Sequence, residues 1–148
     1  MPAAAPVIAA VFAKLGGRSA LGADVASEAD LARIVVGRIP AKVLAQLKRR
    51  GFFSDAEIQR FIIPARTLRH RRERRQRLTV EESDRLVRLT RIQAMAEDVF
   101  GDAEKANRWL REPLGEIDRK PPLELAQTEI GARVVEQILA KIDWGAAA

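Results

Sequence analysis

The sequence predicts an all-α fold, and three observations predict it. Apolar residues recur every three to four positions along most of the chain, which is the period of a one-sided helix. Helix-starting and helix-stopping residues punctuate those stripes at regular intervals. The strict alternation of a half-buried strand is nearly missing, and aromatic residues make up only 5% of the chain.

Taken in order, the elements are these. Residues 1–20 are apolar but interrupted by Pro2 and Pro6, and they read as a loose arm. Ser27 caps a first helix through Asp30, with Leu31, Ile34 and Val35 on one face and Gly37 ending it. Pro40 suits the first turn of the next helix, which carries Val43, Leu44 and Leu47 and stops at Gly51. Ser54-Asp55-Ala56-Glu57 is a capping box ahead of Ile58, Phe61 and Ile62. Pro64 cannot continue that helix, but it can open another from about 64 to 75 with Leu68 inward. Thr79-Val80-Glu81-Glu82 is a second capping box. It starts the longest helix, about 80 to 100, with Leu86, Leu89, Ile92, Met95/Ala96 and Val99 at helical spacing. Gly101 fits its C′ position, and Asp102 caps a helix ending near Pro113. Residues 114–121 read as a loop, Pro122 as the start of a short turn, and Thr128 as the cap of a last helix. That helix has the stripe Val134, Val135, Ile138, Leu139 and Ile142, after which Trp144 and a Gly-Ala tail trail off.

At 148 residues the chain suits one domain or two very small ones, with a real core. It has no cysteine, so disulfides, thiolate zinc sites and thiol nucleophiles are excluded. A single histidine argues against a His-based metal site or catalytic dyad. Neither a nucleophile–base pair, a Gly-rich phosphate loop nor a ligand cluster is present, so no enzyme activity, metal or cofactor is expected. The first 13 residues lack the basic start of an export signal, and no stretch reaches the roughly 18–20 apolar residues of a membrane span. A cytoplasmic protein with no membrane partner is expected.

The distribution of charge says more than its total of +6. Residues 1–100 hold 19 Lys/Arg against 11 Asp/Glu, a net of +8, whereas residues 101–148 hold 7 against 9, a net of −2. Most of the excess lies between Arg66 and Arg77, where seven arginines stand with one acid, Glu73, and no lysine. A charge run is commonly a solvated face. Arginine without lysine instead favours planar recognition of phosphate or guanine, and so a polyanion partner for this half.

A helix fits the B-DNA major groove and meets bases from its N-terminal residues. Arg66 and Thr67 sit at that end, with Arg69 and His70 one turn later. His70 is a base contact, a phosphate contact or a bystander. Arg71, Arg72, Arg74, Arg75 and Arg77 suit the DNA backbone. Neutralising about six phosphates gives a log–log salt slope near −5.

The residues also carry a family resemblance. Gly101-Asp102-Ala103-Glu104-Lys105-Ala106-Asn107-Arg108-Trp109-Leu110, then Pro122-Leu123-Glu124-Leu125, Thr128 through Glu136 and Leu139 through Gly145 resemble the toxin-binding domain of the Xre/MbcA/ParS antitoxin family. Upstream, Leu15-Gly16-Gly17, Leu21-Gly22, Ile63 through Leu68 and Leu78 through Leu86 resemble the Xre-like helix-turn-helix that precedes it. The similarity covers about residues 15 to 145. It implies an antitoxin of a type II toxin–antitoxin system whose partner is a RES-domain, NAD-degrading toxin related to ADP-ribosyltransferases. The C-terminal domain covers the toxin's NAD pocket, while the helix-turn-helix binds and represses the operon promoter as a dimer or within a larger toxin complex. On this resemblance Trp109, Leu110, Thr128, Gly131 and Gly145 are mainly architectural. The last helix and tail, with Glu136, Lys141, Asp143, Trp144 and Gly145, reach the toxin. Trp144 divides evenly between an interface anchor and local packing.

The expected division is a flexible arm over 1–25, an Xre-like helix-turn-helix domain over 26–100 and a toxin-binding domain over 101–148. Two departures from the family are visible. Asp118-Arg119-Lys120 stand where relatives often have Gly before the proline. Ile62 stands at the helix-turn-helix joint, where a β-branched side chain resists a left-handed turn, so a different joint is expected. The competing reading is a stand-alone helix-turn-helix regulator with no toxin partner.

Overall fold

A computed structural model describes residues 4–147, and every regular element in that range is helical. The helices are α1 (Ala4–Lys14), α2 (Gly17–Leu21), α3 (Glu28–Val36), α4 (Lys42–Arg49), α5 (Asp55–Phe61), α6 (Ala65–Glu73), α7 (Val80–Phe100), α8 (Ala103–Arg111), α9 (Pro122–Leu125) and α10 (Glu129–Ala147). A single 3-10 turn spans Gly115–Ile117. None of the described helices is long and apolar enough to cross a membrane. The contacts divide the chain inside α7, between residues 87 and 88. One unit comprises residues 8–87, and the other comprises 88–147 with 4–7.

In the first unit, the expected loose arm is replaced by helix. Ile8 and Val11 of α1 are buried, as are Leu15 just beyond it and Ala20 and Leu21 of α2; Val7 of α1, also buried, belongs to the other unit. Pro6 does not break α1, because it stands in the first turn, where a backbone N–H has no intrahelical acceptor to lose. The α1–α2 turn depends on Gly16, whose φ is +102°; a Cβ there would lie 2.5 Å from Gln46 Oε1. The part of the arm before residue 4 lies outside the described residues.

The caps form as the residues dictate. Ser27 Oγ accepts from the Asp30 N–H at 3.1 Å and starts α3. Ser54 and Glu57 complete a capping box on α5, at 3.1 and 2.9 Å. Thr79 and Glu82 complete another on α7, at 3.1 and 2.7 Å. The core between them holds Leu31, Ile39, Val43, Leu44, Leu47, Phe53, Ile58, Phe61, Ile62, Ile63, Leu78 and Leu86. Residues 38–40 and 77–78 run antiparallel for a step: Pro40 bridges Arg77, and the Leu78 N–H donates to Ile39 O at 2.9 Å.

In the second unit α9 packs against both α8 and α10. Buried residues are Leu89, Ile92, Met95 and Ala96 of α7, Ala106 and Leu110 of α8, Leu123 of α9, and Ala132, Val135 and Leu139 of α10. Gly101 (φ +66°) ends α7, and Asp102 Oδ1 caps α8 through the Glu104 and Lys105 amides. The 114–121 segment closes on itself: Leu114 and Lys120 bridge, with Asp118 and Arg119 both left-handed at φ 58°. These two residues lie in the loop before the proline, where the resemblance led to an expectation of Gly. The last helix does not stop at Ile142 but continues through Ala147, so Trp144 and Gly145 are helical residues. Ala148 lies outside the described residues.

Candidate nucleic-acid and protein interfaces

In the residue 8–87 unit, α5 and α6 form a helix-turn-helix with a three-residue joint, Ile62-Ile63-Pro64. The joint avoids a left-handed residue. Ile62 has φ −118° and ψ −61°, a conformation open to a β-branched side chain. Its carbonyl, freed from the helix ladder, is taken by a forked pair from Arg85 of α7, Nε at 3.2 Å and Nη2 at 2.9 Å. Pro64 then serves as the N-cap residue of α6, and Leu68 N–H donates to its carbonyl at 3.0 Å.

No residue of α6 is fully buried, and Leu68 is only half-buried. The helix is held by its ends and by one clamp. Arg71 turns inward with its side chain 18% exposed, lying along Glu82, whose side chain is 8% exposed. Nε sits 3.1 Å from Oε1, and Nη2 3.2 Å from Oε2. The same carboxylate caps α7, so one acid fixes two helices. Arg71 therefore leaves the set expected on DNA: its guanidinium is engaged within the fold.

The other arginines stay outward. Arg66, Arg69 and His70 are exposed on one face of α6 at spacing 66, 69/70, with Thr67 half-buried beside them. Arg72, Arg74 and Arg75 are exposed around the helix end. That end is a Schellman closure: Gln76 N–H donates to Arg71 O at 2.8 Å, and Arg75 N–H to Arg72 O at 3.1 Å. Its left-handed position, normally a glycine, is Arg75 at φ 52°. A side chain there costs about 1–2 kcal/mol. Arg38, at the end of α3, is left-handed too, at φ 65°. Arg38 and Arg77 clasp one another's backbone. Arg77 Nη1 donates to Arg38 O at 2.9 Å and Arg38 Nη2 to Arg77 O at 3.2 Å, while Arg38 Nε reaches Leu78 O at 2.8 Å. Both clasping side chains bind carbonyls between the α3–α4 connection and the segment leaving α6.

In the second unit the expected partner surface splits. Lys141, Trp144 and Gly145 are exposed, Trp144 at 73%. Glu136 and Asp143 are half-buried at the border of the buried stripe. Ile130 (77% exposed), Arg133 and Gln137 join Lys141 and Trp144 at spacings of 3, 4, 4 and 3, so five residues share one exposed face of α10. The sequence reading followed the buried stripe and missed Ile130, Arg133 and Gln137. The complementary 3–4 spacing was there to find them. Glu129 and Arg133 pair along that face at 2.9 Å.

Of the five residues expected to be architectural, Gly145 is exposed, and a Cβ there would meet nothing within 4 Å. Trp109 is half-buried, its ring tilted at 54° to Phe100 with centroids 5.5 Å apart, and Leu110 is buried. Thr128 Oγ1 accepts the Gly131 N–H at 3.0 Å and caps α10. Gly131 is enforced by contact, since a Cβ there would lie 1.9 Å from Leu125 O.

Two family models match this chain in tandem. The antitoxin Xre-like helix-turn-helix domain matches residues 30–91, and the antitoxin Xre/MbcA/ParS C-terminal toxin-binding domain matches residues 95–145. Antitoxin Xre of Pseudomonas putida is 41% identical over 122 residues, covering 82% of this chain and 76% of that protein. The chain belongs to the Xre antitoxin family. Antitoxin Xre of Yersinia enterocolitica is 38% identical over 84 residues, 56% of this chain and 57% of its own. That of Photorhabdus laumondii is 28% identical over 109 residues, 72% and 74%. In this Xre-family chain the α5–α6 joint and all of α6 fall inside the helix-turn-helix match, and the exposed face of α10 through Trp144 falls inside the toxin-binding match.

Proposed function

We propose that this protein is the antitoxin of a type II toxin–antitoxin system and neutralises a RES-domain, NAD-degrading toxin by covering its active site with the exposed face and end of α10. The same chain represses its own operon in the cytoplasm, as a dimer or in a larger complex with the toxin, by placing α6 in the major groove of promoter DNA. It has no catalytic role. The observation that carries this reading is the tandem match of a DNA-binding and a toxin-binding domain, joined to two different exposed faces, an arginine-rich one on α6 and one on α10 that carries two large apolar residues. Arg66, Thr67, Arg69 and His70 suit base edges near the α6 N-terminus, and Arg72, Arg74 and Arg75 suit backbone phosphates. Ile130 and Trp144 offer apolar anchors among Arg133, Gln137 and Lys141, the composition of a binding hot spot with a polar rim.

The test uses two sets of variants and two readouts. Arg66→Ala and Arg69→Ala weaken promoter binding in a mobility shift, by about 1–3 kcal/mol where the lost contact is to a base, and leave growth rescue in toxin co-expression intact. Trp144→Ala, and truncation after Ile142, weaken rescue and leave the mobility shift intact, with about 2 kcal/mol or more lost from toxin affinity for an anchor tryptophan. Full rescue by both α10 variants refutes the toxin surface, and an unchanged shift with both arginine variants refutes the DNA surface.

A further inference from the structure

We propose that the groove between the start of α4 and the end of α6 is a phosphate-binding site, occupied by a backbone phosphate of the duplex that α6 engages, and that Lys42 of α4 is its principal contact outside the helix-turn-helix. The proposal rests on the DNA reading above and deepens it.

The groove encloses about 460 Å³ and is lined by four cations, Lys42, Arg72, Arg75 and Arg77, with no carboxylate among its lining residues. Lys42, Arg72 and Arg75 form no ion pair among the described residues. Gathering like charges around one concavity raises the free energy of the empty protein, and an anion removes that repulsion. Two opposing features decide the sign locally. The carboxyl end of α6 repels an anion, but its closing turn has already engaged the His70, Arg71 and Arg72 carbonyls with the amides of residues 74–76. The amino end of α4 attracts one only weakly: Ala41 supplies no side-chain cap, but the Val43 and Leu44 N–H groups already donate to the Pro40 and Ala41 carbonyls. The four side-chain charges then dominate.

The walls are fixed before any ligand arrives. The Pro40–Arg77 bridge, the Leu78-to-Ile39 hydrogen bond and the reciprocal Arg38–Arg77 clasp tie the entry of α4 to the exit of α6. A site held in this way does not lose affinity to ordering its own backbone. Arg75 is the second independent sign. It holds a left-handed position that glycine would occupy without strain, and its side chain lines the groove. Strain kept at a concave charged site points to a use for the side chain. The duplex is the favoured source of the phosphate because three of the four cations, Arg72, Arg75 and Arg77, belong to α6 or its exit. When a recognition helix enters the major groove by its amino end, its carboxyl end meets the DNA backbone.

The experiment is a salt titration of full-length protein on its promoter duplex and on an unrelated duplex, between about 50 and about 200 mM salt. Lys42→Gln is expected to weaken both duplexes equally, by about eightfold at about 0.1 M salt, and to flatten the log–log slope by about 0.9, the value of one phosphate contact. Arg75→Gly is expected to weaken both in the same way while raising the unfolding midpoint, a pairing that a purely structural arginine does not produce. Unchanged affinity and slope in Lys42→Gln overturn the proposal. Calorimetry with inorganic tripolyphosphate, without DNA, separates the sources. Binding that Lys42→Gln abolishes while the duplex slope stays unchanged overturns the DNA assignment in favour of a free phosphate ligand. If the unmodified protein binds no duplex at low salt, the DNA reading itself fails. In that case tripolyphosphate binding lost in Lys42→Gln upholds the phosphate site, and its absence overturns it.

Discussion

Helices α6 and α10 are both surface helices that present side chains outward, yet they are secured by opposite means. α10 lays Ala132, Val135 and Leu139 into a core and leaves the reverse face open. α6 buries no residue fully and carries Arg66, Arg69, His70, Arg72 and Glu73 on its exposed surface. An amphipathic helix is stabilised by its apolar stripe, at about 25 cal/mol per Å² of surface removed from water, so its outer face can vary without loss of fold. α6 has no such stripe and is held instead by discrete polar attachments. For α6 these are the proline-started first turn, the Schellman end and the Arg71–Glu82 clamp. What holds the helix and what it presents outward are therefore separable on α10 and entangled on α6.

The strongest way to break that contrast is at the one place where α10 has no tolerance. Gly131→Ala puts a methyl 1.9 Å from Leu125 O, a backbone atom that cannot rotate away. The neighbouring constraint is Thr128 Oγ1, 2.9 Å from the same methyl. Overpacking of this kind costs about 3 kcal/mol. Thermal unfolding should show the loss, and amide exchange should place it in residues 88–147. An unchanged midpoint would mean that the start of α10 can shift outward at little cost.

The next test concerns α6. Glu82→Ala removes the acid that caps α7 and holds Arg71, leaving a mostly buried guanidinium without its partner. The expected loss is about 2–3 kcal/mol. That is below the 3–5 kcal/mol of a fully buried pair, because Arg71 keeps part of its water. The substitution also loosens α6 and so, on the DNA reading proposed above, weakens duplex binding, although Glu82 itself is an unsuitable DNA contact. A double-mutant cycle with Arg71→Met isolates the pair: the second substitution should cost far less once the first is made. Additive losses would show that α6 is held by something other than this clamp.

How much of this was legible in the sequence follows from the range of each interaction. Ser27, Ser54, Thr79, Asp102 and Thr128 all cap as their local pattern dictates, because a cap is completed within three residues. The buried stripes of α4 and most of α7 were legible for the same reason, and so was the close packing at Gly131; on α10 the expected stripe is fully buried only at Val135 and Leu139, with Val134, Ile138 and Ile142 half-buried. What was not legible depends on residues far apart in the chain. Nothing near Arg71 says that it, among seven arginines, finds a carboxylate 11 positions away. Nothing near Lys42 says that it shares a groove with Arg72 and Arg75. The Ile62 joint was expected to be unusual, but its solution, Arg85 from 23 positions downstream, was beyond local reading. Pro6 misled because a proline reads as a breaker until the helix start is known, and as the third residue of its helix it breaks nothing. On α10 the polar reverse face carried a readable period, but an eye on the core stripe passes over Ile130.

The smallest expected effect asks whether the two units answer acid separately. Asp30, in the unit that contains α6, accepts the Ala26 N–H at 2.9 Å ahead of α3. That backbone hydrogen bond is the main reason its carboxyl lies below the ordinary value of 3.8; partial burial opposes it, and Ser27 and Arg33 reinforce it. A carboxylate whose folded pKa is depressed stabilises the fold fully above its unfolded pKa. It loses that contribution as the pH falls through the lower, folded value. Between pH 5 and 8, therefore, the stability gap between the natural protein and Asp30→Asn should be constant, and it should close only below about pH 3.8. Exchange in residues 8–87 should report the closing gap, while the substitution leaves residues 88–147 untouched. A gap that varies near neutral pH, or that appears in the α10 unit, would tie the charge at Asp30 to groups other than the α3 start. It would also remove the independence on which the contrast between the two helices depends.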